Sequence, residues 1–274
     1  AYADHIAKSR EMILDVAGCA LPKRRIVVLG PGEIEPLEAL SKLFEEIVVV
    51  DIVAESLDRL AVSSESNIQL VKADLSRGVV EQAVAFIAKM RLNLPSPSRF
   101  FEEATHFFTT CSVESSPLPD AAREADCIVS SFVITQLANQ VQLYIERRYH
   151  ELYEGMSDTE CDAEPLFRAQ EAFRLRMQQQ HLEDVASLGR AESAVYLADA
   201  CQGVRASEEV PNERSEHRFT MVTDNLFETL PRHFTDIARS SWEWPSVPSG
   251  SFSNSPTMSI TFTIFCCTMK VASS

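Results

Sequence analysis

No run of apolar residues in this 274-residue chain is long enough to cross a bilayer, and the longest, Ser259 to Cys267, is strand-sized. The first residues show no basic stretch followed by an apolar one, so no signal peptide and no membrane partner are expected, and the expected location is cytoplasmic. Positive charge is scarce as well. There are 25 Lys and Arg against 40 Asp and Glu, a formal net charge of -15. Sequence-independent binding to nucleic acid needs clustered cations facing phosphates, so no nucleic-acid partner is expected. The only dense basic runs are Lys23-Arg24-Arg25, read as a solvated loop entering a strand, and Arg147-Arg148. The seven cysteines are odd in number, form no C-x-x-C pair and have no histidine at zinc-site spacing. They are expected to be buried thiols in a reducing compartment, and no metal is expected. No G-x-S-x-G elbow is present to support a Ser–His–Asp nucleophile, and no repeat of solenoid period is found.

What is present is an ordinary globular composition, 45% hydrophobic and 24% charged. The length suits one large domain or two small ones. The most informative stretch runs from Arg25 to Asp51. Ile26 to Leu29 is apolar without alternation, the pattern of a strand buried on both faces. It leads into Gly30-Pro31-Gly32, where glycine permits unusual backbone angles and close approach of a ligand. A helix is expected next, with Leu37, Leu40, Leu43 and Phe44 on one face and Pro36 in its first turn. Ile47 to Val50 then form a second apolar strand ending in Asp51. Strand, glycine turn, helix, strand and acid make the first half of a nucleotide-binding α/β sheet. The motif alone leaves the ligand open. A dinucleotide fingerprint requires glycine where Glu35 stands, the turn of S-adenosylmethionine enzymes differs, and a βαβ unit that binds nothing has the same outline.

Before this unit, residues 3 to 18 read as a helix that packs over the sheet or helps close the cofactor site. After it, a helix is expected from about Ala54 to Val62 and a third strand from Ile68 to Val71. Asp74-Leu75 follows that strand, where an acceptor and an apolar surface suit an adenine; Asp74 is equally placed to cap the next helix. Further helices are expected over 79–91, from Ile134 to Gly155 and from Pro165 to Gly189. Leu92 to Ala122 reads as a long Pro- and Ser-rich loop with an aromatic middle. A fourth strand covers Asp126 to Val133, with Ser130, Ser131 and Gln136 at its end, and a fifth covers Ala194 to Ala198. Residues 205–218 read as a charged surface loop. One more helix carries Leu226, Leu230 and Phe234. Ile237 to Trp244 and Ser259 to Met269 then form a hairpin with a long loop.

In this order the elements resemble the class I S-adenosylmethionine-dependent methyltransferases, whose seven-stranded sheet ends in a reversed hairpin. The resemblance spans nearly the whole chain and is carried by VVLGPGE at 27–33, VVVD at 48–51, ADL at 73–75 and ADCIVSSFVITQL at 125–137. It implies an α/β, Rossmann-like, doubly wound sheet of about seven strands, mostly parallel, with helices on both faces. A single domain over 1–274 is expected, with insertions at about 92–122 and 150–192 forming a substrate cap. It further implies S-adenosylmethionine as cofactor and methyl transfer to a small-molecule substrate. By position, Gly30 and Gly32 would pass the methionine part, and Glu33 would meet its amino group. Asp51 would hold the ribose hydroxyls with Ile52 against the adenine. Asp74 and Leu75 would take the adenine edge and face, while Ser130 and Ser131 would close the site near the sulfonium.

The chain departs from the family pattern at Val28, where an acid is frequent, and at Ile34, where the third glycine is expected. The second departure keeps open a non-catalytic interaction protein on the same fold. The fourth strand ends in SSF and lacks the Asn/Asp-Pro-Pro-aromatic signature of base and glutamine methylation. Methyl transfer from a sulfonium is an in-line displacement that needs alignment and exclusion of water, and a base only when the nucleophile starts protonated. Asp199, His233, Tyr144, Tyr149 and His150 are the candidates for such a base.

Overall fold

The computed structural model describes residues 2–31, 36–52, 67–113, 118–154, 163–210, 213–220, 224–247 and 259–273. The chain divides into two compact units, one made of Ala1–Ala73, Leu118–Val133 and Leu182–Ser274, the other of Asp74–Pro117 and Ile134–His181.

The first unit is built on a sheet of eight strands: β1 (Arg25–Leu29), β2 (Glu46–Asp51), β3 (Ile68–Lys72), β4 (Ala125–Ser131), β5 (Gly189–Val210), β6 (Glu213–Thr220), β7 (Phe234–Val247) and β8 (Ser259–Val271). The spatial order is β3-β2-β1-β4-β5-β8-β7, with β6 pairing β5 off this path. The first five strands are parallel. Strand β8 runs against both β5 and β7, so the chain ends in the expected reversed hairpin. The unalternating apolar runs lie in the middle of the sheet. Ile26 to Leu29 and Ile47 to Val50 are all fully buried, as strands covered on both faces must be. Helix α1 (Tyr2–Cys19) and the short α2 (Leu37–Ser41) share one core cluster with the sheet. Ile13, Val16 and Ala17 of α1 and Leu40 of α2 meet Ile26, Val28, Val49, Cys127, Val129 and Tyr196. At the amino ends of the strands the buried Asp126 carboxylate accepts the backbone N–H groups of Arg24 and Arg25 at 2.7 and 3.0 Å and pairs with Arg190.

The second unit is helical. Its core joins α3 (Val79–Asn93), α4 (Pro97–Thr110), α5 (Val133–Leu152) and α6 (Glu164–Leu188) through residues such as Ile87, Phe100, Phe107, Phe108, Val141, Ile145, Phe173 and Met177. The Tyr153 hydroxyl donates to the Pro95 carbonyl at 2.6 Å and ties the α3–α4 connection to the end of α5.

Two expectations are corrected. The supposed loop from Leu92 to Ala122 contains α4. Ser96 caps this helix through the Arg99 N–H at 3.3 Å, Pro97 suits its first turn, and Phe100, Ala104, Phe107 and Phe108 bury one face. The many prolines and serines of the segment are its punctuation. The supposed surface loop at 205–218 is a β-hairpin in which Gln202 to Val210 pair with Glu213 to Thr220. A backbone ladder does not require apolar side chains, so a charged hairpin gives no hydrophobic signal. The helix expected at about 54–62 lies outside the described residues. Among those described, no helix is long and apolar enough to cross a membrane.

Candidate functional site at the carboxyl edge of the sheet

The sheet reverses its strand order between β1 and β4, so the carboxyl ends of these strands and of β2 flank the crevice where doubly wound folds bind ligands. Leu29 is in register with Val50 on one side and Ser130 on the other. One residue further along, Gly30, Asp51 and Ser131 therefore stand at one level on three adjacent strands. Gly30 has a left-handed φ of 55° and donates its N–H to the Val50 carbonyl at 2.9 Å. A Cβ there would meet Val133 Cγ2 at 2.8 Å, so both backbone angle and space call for glycine.

Asp51 is partly buried, and its backbone carbonyl accepts the Ala73 N–H at 2.9 Å. This holds the end of β2 beside the segment leaving β3. Ile52 is 44% exposed. Ser130 is fully buried and Ser131 nearly so. The Ser131 hydroxyl has no hydrogen-bond partner among the described residues. A buried orphan of this kind at a strand end marks a place where another polar group is wanted. Gly32 and Glu33 lie outside the described residues.

Asp74 and Leu75 belong to the second unit. There the Asp74 carboxylate accepts the backbone N–H groups of Ser76 and Gly78 at 2.8 and 2.7 Å, holding the turn that starts α3. The capping role read from the sequence is thus realised. Each carboxylate oxygen keeps a second lone pair, so a ligand contact remains compatible with it.

The candidate bases lie in both units, and Asp199 follows the Ala198 that pairs with Ser131. Asp199 is fully buried in β5, its Oδ1 accepting the Ala200 N–H at 2.7 Å. His233 precedes β7 and its carbonyl accepts the Ala272 N–H, which puts it at the amino edge of the sheet, opposite the crevice. Tyr149 packs among Phe100, Phe101 and Tyr153, and Tyr144 lies under the Arg148 guanidinium, all within the helical unit. Burial pushes the thiols of Cys127 and Cys266 up to about 12 and that of Cys267 up to about 11, so these remain protonated and are not nucleophiles. Among the described residues no group of three His, Cys, Asp or Glu side chains is arranged to hold a metal ion.

Sequence reasoning missed His5. It is 3% exposed on α1, its Nδ1 accepts the Trp242 Nε1–H at 3.0 Å, and its ring meets Phe132 edge-on with centroids 5.4 Å apart. Burial holds its pKa below the ordinary histidine value. A lone histidine on an N-terminal helix carries no motif; its partners come from the end of β4 and from β7, more than a hundred residues away.

The sheet order, with β8 alone reversed among the strands of the main path, is the arrangement that the methyltransferase resemblance implies. Comparison with solved structures agrees at the level of fold. YcgJ from Bacillus subtilis is similar at a TM-score of 0.50 with 10% identity, covering 98% of this chain and 99% of that one. The N-methyltransferase NodS from Bradyrhizobium japonicum WM9, in complex with S-adenosyl-L-homocysteine, gives 0.46 with 9% identity, covering 97% and 87%. A DhpI complex with S-adenosylhomocysteine gives 0.43 with 13% identity, covering 97% and 85%. The chain has a Rossmann-like fold whose mostly parallel sheet ends in a reversed hairpin, and at these identities the likeness to solved structures concerns the fold alone. No protein-family model matches the chain, and no curated protein matches its sequence.

Proposed function

We propose that this protein binds S-adenosyl-L-methionine at the carboxyl edge of its sheet and transfers the methyl group to a small-molecule acceptor. The observation that carries this reading is the level row at the strand-order reversal: the left-handed Gly30, the Asp51 carboxylate and the orphan Ser131 hydroxyl. Gly30 fixes the turn that leaves β1, because its left-handed angle and the Val133 side chain beside it admit no other residue. A carboxylate on the neighbouring strand is the acceptor that a pair of ribose hydroxyls needs. The choice of cofactor follows from this row together with the sequence resemblance carried by VVLGPGE and VVVD. The segments at 92–122 and 150–192 are read as the substrate cap.

The cofactor would bring an already activated methyl carbon. The residues named above bind, orient and exclude water; alignment of this kind supplies on the order of 7–11 kcal/mol. A base is needed only if the acceptor reaches the site protonated. The test is mass spectrometry of the natively purified protein together with incorporation of label from methyl-labelled S-adenosylmethionine into small molecules of a cell extract. Retained cofactor and a labelled small product support the reading. Absence of cofactor, with no label transferred, returns the chain to the alternative of a non-catalytic protein on this fold.

A further inference from the structure

Helix α3 buries one side and keeps the other apolar as well. Val79, Ala83, Ile87 and Met90 face the core of the second unit. On the outer side Val80, Val84 and Leu92 are 40%, 49% and 87% exposed, and Ala85 and Ala88 are exposed between them. Val80, Val84, Ala88 and Leu92 recur at every fourth position and form one continuous ridge along the helix. Single exposed apolar residues are ordinary on a protein surface, but a ridge of them running the length of a helix is the mark of a face that meets another surface. Lys89 is drawn aside by Glu103 of α4 at 3.1 Å, so the charges bordering the ridge are Glu81 and Arg91.

The residues of this face are arranged symmetrically about its middle. Phe86 stands at the midpoint of the helix and turns inward, onto Phe100 and Phe107. Val84 precedes it by as many residues as Ala88 follows it; the same holds for Glu81 with Arg91 and for Val80 with Leu92. A two-fold axis on the outer side of the midpoint therefore sets two copies of α3 antiparallel, with each of these residues opposite the other member of its pair. Apolar then meets apolar, Val84 of one copy on Ala88 of the other and Val80 on Leu92. Acid meets base, Glu81 on Arg91, and every contact occurs twice. Arg91 already pairs with Glu151 at 3.2 Å, yet its side chain stays 52% exposed, and a guanidinium has donors to spare for a second carboxylate. A parallel pairing would set Glu81 against Glu81.

We propose that the outer face of α3 is the interface through which two copies of this chain pair antiparallel. The inference is independent of the cofactor reading. Ala85 and Ala88 at the centre let the two backbones approach closely. Each copy contributes one helix, so the contact falls below the roughly 1,200 Å² of stable complexes, and the dimer is expected to be reversible with a dissociation constant of about 10–100 µM.

The test is sedimentation velocity of the full chain from about 1 to about 500 µM, a range that brackets this constant. The wild type is expected to pass from monomer to dimer as concentration rises. Ala88→Arg places two like charges at the axis and is expected to stay monomeric throughout, with an unchanged melting temperature because the position is exposed and arginine is a good helix former. Glu81→Arg and Arg91→Glu, made singly, are each expected to weaken association about three- to tenfold, since each spoils the same ion pair twice. Combined in one chain they restore opposite charges across the axis, and association is expected to return to within about twofold of the wild type. A wild type that remains monomeric at the highest concentration, a dimer undiminished by Ala88→Arg, or a combined variant no tighter than the single ones each overturns the inference.

Discussion

Gly30 joins backbone geometry to side-chain packing in a single residue. Its left-handed φ and the 2.8 Å separation between Val133 Cγ2 and the place a Cβ would occupy act in the same direction. Gly30→Ala is therefore expected to lose about 1–2 kcal/mol from the left-handed angle alone, with the contact adding to it. Urea denaturation measures that loss, and calorimetry on the folded fraction is expected to show weakened S-adenosylhomocysteine binding. At the same scale the sequence is informative wherever chemistry and geometry coincide in neighbouring residues. Gly30 and Asp51 are legible because strand, turn and acid follow one another within a short stretch. His5 is not, because its partners Trp242 and Phe132 are brought to it only by the sheet.

Elements separate roles that residue identity leaves mixed. Asp51 and Asp74 are both acids after strands, yet Asp74 holds the turn before α3 with two backbone N–H groups while Asp51 ends β2. Asp74→Ala is expected to cost about 1 kcal/mol of stability, as the loss of a cap does. Asp51→Ala is expected to weaken S-adenosylhomocysteine binding about tenfold, about 1.4 kcal/mol, whereas Asp74→Ala is expected to act first on stability. Chemical denaturation and calorimetry on the two variants distinguish these outcomes; the reverse pattern would assign the cofactor contact to Asp74 alone.

Helix α6 makes a further prediction. His181 is fully buried there, and burial pushes its pKa down to about 4 from the ordinary 6.5. Between those values the unfolded chain takes up a proton that the folded chain refuses. The stability it contributes is complete above pH 6.5 and is lost as pH falls towards 4, by up to about 3 kcal/mol. A His181→Gln variant is expected to show a flatter stability profile over this range in parallel denaturation titrations, and an unchanged profile would place the effect elsewhere. Helices α4 and α6 also show what periodicity conveys. The register of α6 is readable from Phe173, Met177, Leu182 and Val185, whereas α4 is masked by the prolines that open and flank it.

Over the whole molecule, the sheet order is readable because each parallel strand is an apolar run punctuated by turn residues, and because the last two strands are separated by a Pro-, Ser- and Gly-rich loop. The β5–β6 hairpin is not, since pairing between charged segments is decided by the backbone. The same holds for the division into two units, which depends on contacts between helices far apart in sequence. The account as a whole requires the carboxyl edge of the sheet to be a nucleoside-sulfonium cradle. Isothermal calorimetry of the intact protein with S-adenosylhomocysteine tests this most directly. The account predicts saturable one-to-one binding in the wild type that is weakened by Asp51→Ala, and it is contradicted by the absence of binding heat in a wild-type protein shown to be folded.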